Sequence, residues 1–145
     1  MGSGDMYSKG TVLLNMVRTV INNDEKWRNI LRGMNSKFYH KTVDYTDIVN
    51  YISENSGKNF SYIFDQYLKL KSLPILEFTD KDGKLNCRWI TEIKGFDMPV
   101  FVKVKGGEYK LIYPSSSFSP IDIVGISKEN LEVDTFNFYI ALINN

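Results

Sequence analysis

The sequence predicts an α+β chain, with about four helices up to residue 73 followed by an antiparallel β-sandwich of six or seven strands over 74–145. Two observations carry this reading. The apolar period is helical from Tyr7 to Leu73 and switches to two from Ile75. Hairpin turn chemistry, Asp80-Lys81-Asp82-Gly83 and Gly106-Gly107, then follows the switch. The composition permits such a core: 43% of the 145 residues are hydrophobic and 14% aromatic, which argues against disorder.

The start, Met1-Gly2-Ser3-Gly4, reads as a cloning remnant, and residues 1–6 are expected to be that remnant plus a linker. The first helix follows Ser8. Val12, Leu13, Met16, Val17, Val20 and Ile21 recur at helical spacing and Leu14 widens the apolar arc, so burial on more than one side is expected. Asn22-Asn23-Asp24 breaks this helix and caps the next. The second helix carries Trp27, Ile30, Leu31, Met34 and Phe38 on one stripe, with Glu25, Lys26, Arg28 and Arg32 elsewhere. A third is expected from about Tyr45 to Asn55, capped by Asp44 or Thr46, with Gly57 as a left-handed stop. Asn59 then caps a fourth, which faces Phe60, Ile63, Phe64, Tyr67 and Leu68 inward. Pro74 closes the helical half.

The strands come next. Ile75–Thr79 is the first, and Leu85, Cys87 and Trp89 mark the inner face of the second. Val100, Val102 and Val104 alternate with Phe101, Lys103 and Lys105, which places the lysines on a solvent face. Tyr109, Leu111 and Tyr113 follow the Gly106-Gly107 turn. Ile121–Ile126 and Leu131–Val133 are short candidates, and Phe136, Phe138, Ile140 and Leu142 suggest the last strand. Between Val133 and Phe136 the alternation slips by one residue, so a bulge or break is expected near Asp134.

Charge and cysteine content exclude some functions. The 18 basic and 17 acidic residues leave a net charge of +1, too little for a whole-chain field that would draw nucleic acid or an anionic membrane. No apolar run approaches the roughly 20 residues a membrane span needs. The one cysteine, Cys87, cannot form an internal disulfide.

The reactive residue types read mostly as structural. His40 lacks a second histidine or a cysteine partner and reads as a surface or turn histidine. Cys87 reads as a core thiol, with no sign of the base a nucleophile needs. Asp44, Asp47 and Asp65 suit helix caps and exposed helix faces. Tyr109, Tyr113, Phe136, Phe138 and Tyr139 could form a carbohydrate or peptide platform, but core packing of a sandwich is the favoured expectation.

One ordered series of segments carries more information. Tyr7-Ser8-Lys9-Gly10 opens an apolar helix ending Met16-Val17-Arg18. Asn23-Asp24-Glu25-Lys26-Trp27 begins the next helix. Tyr39-His40-Lys41-Thr42-Val43, Ser56-Gly57-Lys58-Asn59-Phe60, Phe64-Asp65-Gln66-Tyr67-Leu68 and Leu73-Pro74-Ile75-Leu76 follow in order. The series resembles the aminopeptidase N family of zinc metallopeptidases, in which Tyr-x-Lys-Gly opens a helix of the thermolysin-like catalytic domain downstream of the zinc ligands. The resemblance covers residues 7–145. It implies that 7–73 is the helical C-terminal part of that catalytic domain and 74–145 the β-sandwich domain that follows.

The resemblance also implies roles. Tyr7 would donate a hydrogen bond to the oxyanion of the tetrahedral intermediate, where a neutral phenol stabilises the transition state more than the ground state. Lys9 and Gly10 would support it structurally, Gly10 by letting the helix start pack closely on a neighbour. The family's zinc site, His-Glu-x-x-His plus a downstream Glu, is missing, since His40 is the single histidine. A hydrolytic zinc needs about three protein ligands. No cofactor is therefore expected in this chain, and zinc is expected in a full-length parent. The implied partners are the missing N-terminal catalytic half and, in the parent, a peptide substrate.

Two further readings stand beside this one. The chain could be a non-catalytic binding module, a sandwich with a helical cap. It could also be a degenerate homologue that lost its metal site. The fragment reading predicts an orphaned apolar face on the first helix, with self-association through it.

Overall fold

In a computed structural model the backbone is described from Ser3, and side chains from Lys9 to Asn145. Four helices come first: α1 (Ser3–Ile21), α2 (Asp24–Lys37), α3 (Tyr45–Ser56) and α4 (Ser61–Lys69). The first begins five or six residues earlier than the apolar period indicates, because Met6 to Gly10 holds no proline to stop it. Asn22 adopts a left-handed φ of 52° and breaks the chain, and the Asn23 side chain caps α2 by accepting from the Lys26 amide. At α3 the cap is Asp44, in a reciprocal box with Asp47, and Gly57 at φ 78° ends the helix. Asn59 acts one residue before its expected place: its Oδ1 accepts from the Ser61 amide while Phe60 occupies the cap position.

Each helix packs on the next, and α4 returns to α1. Leu13, Met16, Val17 and Val20 of α1 are buried with Trp27, Ile30, Val49, Ile52, Phe60, Ile63, Phe64 and Tyr67. The expectation that the wide apolar arc of α1 is buried on several sides does not hold. Val12 and Leu14 are exposed, because α2 and α4 cover only the stripe through Leu13, Met16, Val17 and Val20. Leu31 and Leu68 are likewise exposed ends of otherwise buried stripes.

Seven strands follow: β1 (Ile75–Lys81), β2 (Lys84–Ile90), β3 (Val100–Val104), β4 (Lys110–Ile112), β5 (Ser119–Pro120), β6 (Leu131–Val133) and β7 (Ala141–Asn144). They form two sheets, β5-β2-β1-β7 and β4-β3-β6, in a sandwich-like arrangement. The β1–β2 hairpin closes on Asp82-Gly83, both at positive φ (53° and 73°), so Lys81 pairs Lys84. This register turns Leu76 and Phe78 inward together with Leu85, Cys87 and Trp89. Trp89 stacks edge-on against Phe96 at 5.2 Å and donates its indole N–H to the Met98 carbonyl at 2.9 Å.

Three strand expectations change. The β1–β7 pair is parallel, so the sandwich is not wholly antiparallel. Residues 121–126 run as loop and turn after the two-residue β5. The last strand starts only at Ala141, because the break at Asp134 is longer than one residue. The Asp134 carboxylate accepts from both the amide and the side chain of Asn137, holding 135–137 as a turn. One buried cluster runs from Leu13 through Tyr67 and Trp89 to Ile140, so helices and sheets share a core.

Gly83→Ala forces a β-carbon into the left-handed region of the tight turn. We expect a loss of about 1 kcal/mol, seen as a drop of roughly 2–4 °C in Tm by calorimetry. An unchanged Tm would mean the turn tolerates the strain.

Candidate functional site

The sequence-predicted site lies at the start of α1. Tyr7 belongs to the helical backbone of α1, and its side chain lies outside the described residues. Lys9 is half-buried. Among the described residues, a β-carbon on Gly10 would meet no atom within 4 Å. At about 100° per residue, positions 7, 14 and 18 share one stripe of α1. Leu14 and Arg18 on that stripe are exposed, whereas the buried stripe passes through Leu13, Met16, Val17 and Val20.

The remaining candidates are structural. His40 sits exposed in a turn at φ 54°, its ring 4.1 Å from that of Tyr39, as the sequence indicates. Cys87 is buried in the shared core, and burial pushes its thiol up to about 11, away from reactivity. Asp44 and Asp47 form the α3 cap. Asp65 does more than face solvent: it accepts from the Tyr45 hydroxyl at 2.6 Å and pairs with Lys69 at 2.9 Å. The Tyr45 hydrogen bond, aided by Lys69, holds the Asp65 carboxyl below its ordinary range. Desolvation first, then Asp65, pushes the Tyr45 phenol well up. Among the described residues no group of three or more His, Cys, Asp and Glu side chains comes together.

Core packing of the late aromatics is corrected. Only Phe138 is buried, at 1% exposure, whereas Tyr109 (44%), Tyr139 (52%), Tyr113 (68%) and Phe136 (94%) face outward. The physical reason is the turn at 135–137, which replaces the strand that would have alternated them, together with the shortness of β4.

Two adjoining recesses flank α1. The first, of about 390 Å³, is polar: Asn15, Arg18, Thr19, Asn22, Asn23 and Asn137 line it, with Asp24. Arg18 is already engaged there in a two-pronged pair with Asp24 at 2.9 and 3.1 Å. The second, of about 370 Å³, is the groove between Val12 and Asn15 of α1 and the segment holding Thr135, Phe136, Asn137 and Tyr139. Asn15 bridges the two walls by donating to the Asn137 side chain at 3.2 Å. Sequence reading missed this groove. Its signal was present in the slip at Asp134, which releases Phe136 from the sheet.

Among solved structures the chain is similar to the crystal structure of Legionella pneumophila aminopeptidase A in complex with aspartic acid. The TM-score is 0.70 at 14% sequence identity, over 93% of this chain and 17% of that one. The likeness is one of fold, so this chain has an aminopeptidase-like fold and spans about a sixth of that structure's chain. No family model matches the sequence. No curated protein matches it either. No helix among the described residues is long and apolar enough to cross a membrane.

Two outcomes follow from this geometry. Gly10→Ala should stabilise the chain by roughly 0.5–1 kcal/mol, since a helical glycine with open space gains helix propensity. Urea denaturation checks this, and a loss would restore a packing role to Gly10. Tyr45→Phe should remove the support of the Asp65 carboxylate. A depressed carboxyl stabilises above its unfolded value and loses that effect as pH falls through its folded value. The wild-type advantage over Tyr45→Phe should therefore be full at pH 7 and shrink below about pH 4. A pH-independent difference would assign the effect to packing alone.

Proposed function

We propose that this chain is the C-terminal part of the peptidase unit of a zinc-dependent aminopeptidase of the aminopeptidase N type, inactive by itself. The observation that supports this most is the fold: helices then sandwich, matched over 93% of the chain to a structure described as an aminopeptidase. The ordered motifs from Tyr7-Ser8-Lys9-Gly10 to Leu73-Pro74 add to it. The parent would release N-terminal residues from peptides. Zinc belongs, on this reading, to the part of the parent this chain lacks, and the single histidine here offers it no ligand set.

The role assigned to this chain's own residues is narrow. Tyr7, as a neutral phenol, donates a hydrogen bond to the oxygen that becomes negative when the scissile carbonyl turns tetrahedral. That bond strengthens as charge develops, so it acts on the barrier rather than on substrate binding. Leu14 and Arg18, on the stripe that position 7 shares by helical spacing, are exposed. Lys9, half-buried, and Gly10 follow it in the same helix start.

A non-catalytic binding module is favoured by one observation, the outward-facing Tyr109, Tyr113, Phe136 and Tyr139. The two readings separate on the upstream gene sequence. Encoded His-Glu-x-x-His fits the peptidase, and its absence fits the module.

Activity assays test the proposal at both levels. The isolated chain should show no turnover of aminoacyl-p-nitroanilides with added zinc, and robust chelator-sensitive turnover would sink the claim. In the longer polypeptide, Tyr7→Phe should lower kcat by about 10²–10³ with KM little changed. An equal rise in KM with kcat preserved would instead make Tyr7 a substrate-binding residue.

A further inference from the structure

Asparagine is concentrated at one corner of the helical layer. The polar recess beside α1, of about 390 Å³, meets a further one of about 380 Å³ at Asn23, which lines both. Asn15, Asn22 and Asn137 line the first with it, and Asn29 and Asn55 the second. Six side-chain amides thus border one track, from α1 over the start of α2 to the end of α3. Every lining residue lies from Asn15 onward, where side chains are described.

The chemistry of the track selects a class of ligand. Its charges cancel: Arg18 and Lys26 stand against Asp24 and Glu25, Arg18 is forked onto Asp24, and Lys26 donates to the Ser56 carbonyl at 2.8 Å. An ionic ligand finds no net field there. Each amide carries two donors and an acceptor, and a hydroxyl both donates and accepts, so a row of amides matches a row of hydroxyls. Bonds within the protein engage the Asn15 Nδ2, the Asn23 Oδ1 and both ends of the Asn137 amide. Among the described residues none engages the Asn15 Oδ1, the Asn23 Nδ2 or the side chains of Asn22 and Asn29. The engaged ends hold Asn15, Asn23 and Asn137 in place, which lowers the ordering cost of binding. Ile30 is the one apolar side chain lining the track among the described residues, which offers little to the side chains of a peptide. At one end Phe136, 94% exposed, precedes Asn137 on the turn that Asp134 fixes. The C–H bonds on a pyranose face are attracted to the negative face of such a ring.

We propose that this track binds a short neutral oligosaccharide, its hydroxyls on the asparagine amides and one sugar ring stacked on Phe136. The volumes suit it, since small-molecule sites span about 300–1,000 Å³. The proposal stands apart from the peptidase reading, because no residue of the track has a part in that chemistry.

Titration of the 145-residue chain with maltotriose, cellotriose and chitotriose, followed by the NMR signals of its side-chain amides, tests this. At least one trisaccharide should shift the Asn22, Asn29 and Asn137 amides in a saturable way, with a Kd of about 1 mM. Asn29→Ala and Phe136→Ala, at exposed positions toward opposite ends of the track, should each weaken binding at least threefold. Asn35→Ala, on α2 and exposed outside the track, should leave it unchanged. No saturable shift with any of the three sugars overturns the proposal. So does an unchanged Kd in both Asn29→Ala and Phe136→Ala. Acetyl-trialanine amide serves as the peptide probe, and tighter binding of it than of every sugar reassigns the track to peptides and also overturns the proposal.

Discussion

The hydroxyl of Tyr67, near the end of α4, donates to the carbonyl of Tyr139 in the segment before β7. Its neighbour Gln66 is fully buried and uses both ends of its amide, donating to the Ser72 carbonyl at 2.9 Å and accepting from the Thr91 hydroxyl. Buried polar groups are costly unless each is partnered. Burial pushes the Tyr67 phenol far above its ordinary value, so it remains a neutral donor. These bonds fix α4 to three places at once: the linker into β1, the loop after β2 and the approach to β7. The shared core of helices and sheets is aligned by them, since apolar contact alone is not directional.

The placement of α1 depends on that clasp. It packs on α4 and on α2, and leaves Val12 and Leu14 exposed on either side of its buried stripe. The segment from Asp134 to Tyr139 is held from one side by the Tyr67 hydroxyl and from the other by Asn15. The late loop is thus positioned against the first helix by polar bonds, while Phe138 alone of its aromatics reaches the core. A surface built in this way is rigid without being self-sufficient in apolar cover.

Much of the architecture is legible in the residues themselves. Asp82-Gly83 announces its hairpin because only residues tolerant of positive φ fit a two-residue turn. Asn23, Asp44 and Gly57 announce helix ends because their side chains, or the lack of one, serve the free backbone groups there. The outward course of Phe136 and Tyr139 is not legible. Phe136, Phe138 and Ile140 alternate as strand residues do, and a period cannot tell a paired strand from a turn locked by one carboxylate. Nor does the pattern say that β7 pairs parallel with β1, since alternation is the same for either direction. The candidate site was readable only through family resemblance, because Tyr7 lies within a helix start whose own sequence carries no chemical partner.

The parallel pairing of β1 with β7 also shapes how the chain acquires its structure. The β1–β2 hairpin joins neighbours in sequence and can zip within microseconds. Ile75 meets Ala141 only after the intervening chain has been laid down, so this pairing carries a loop-closure cost the hairpin avoids and raises the contact order of the domain. Until it forms, the outer edge of β1 presents unpaired amides and carbonyls beside Leu76 and Phe78. A half-made sheet of this kind is a template for strands from other molecules. The last few residues of the sequence therefore act as a seam, and the interval before it closes is when a nascent chain is most exposed to misassembly.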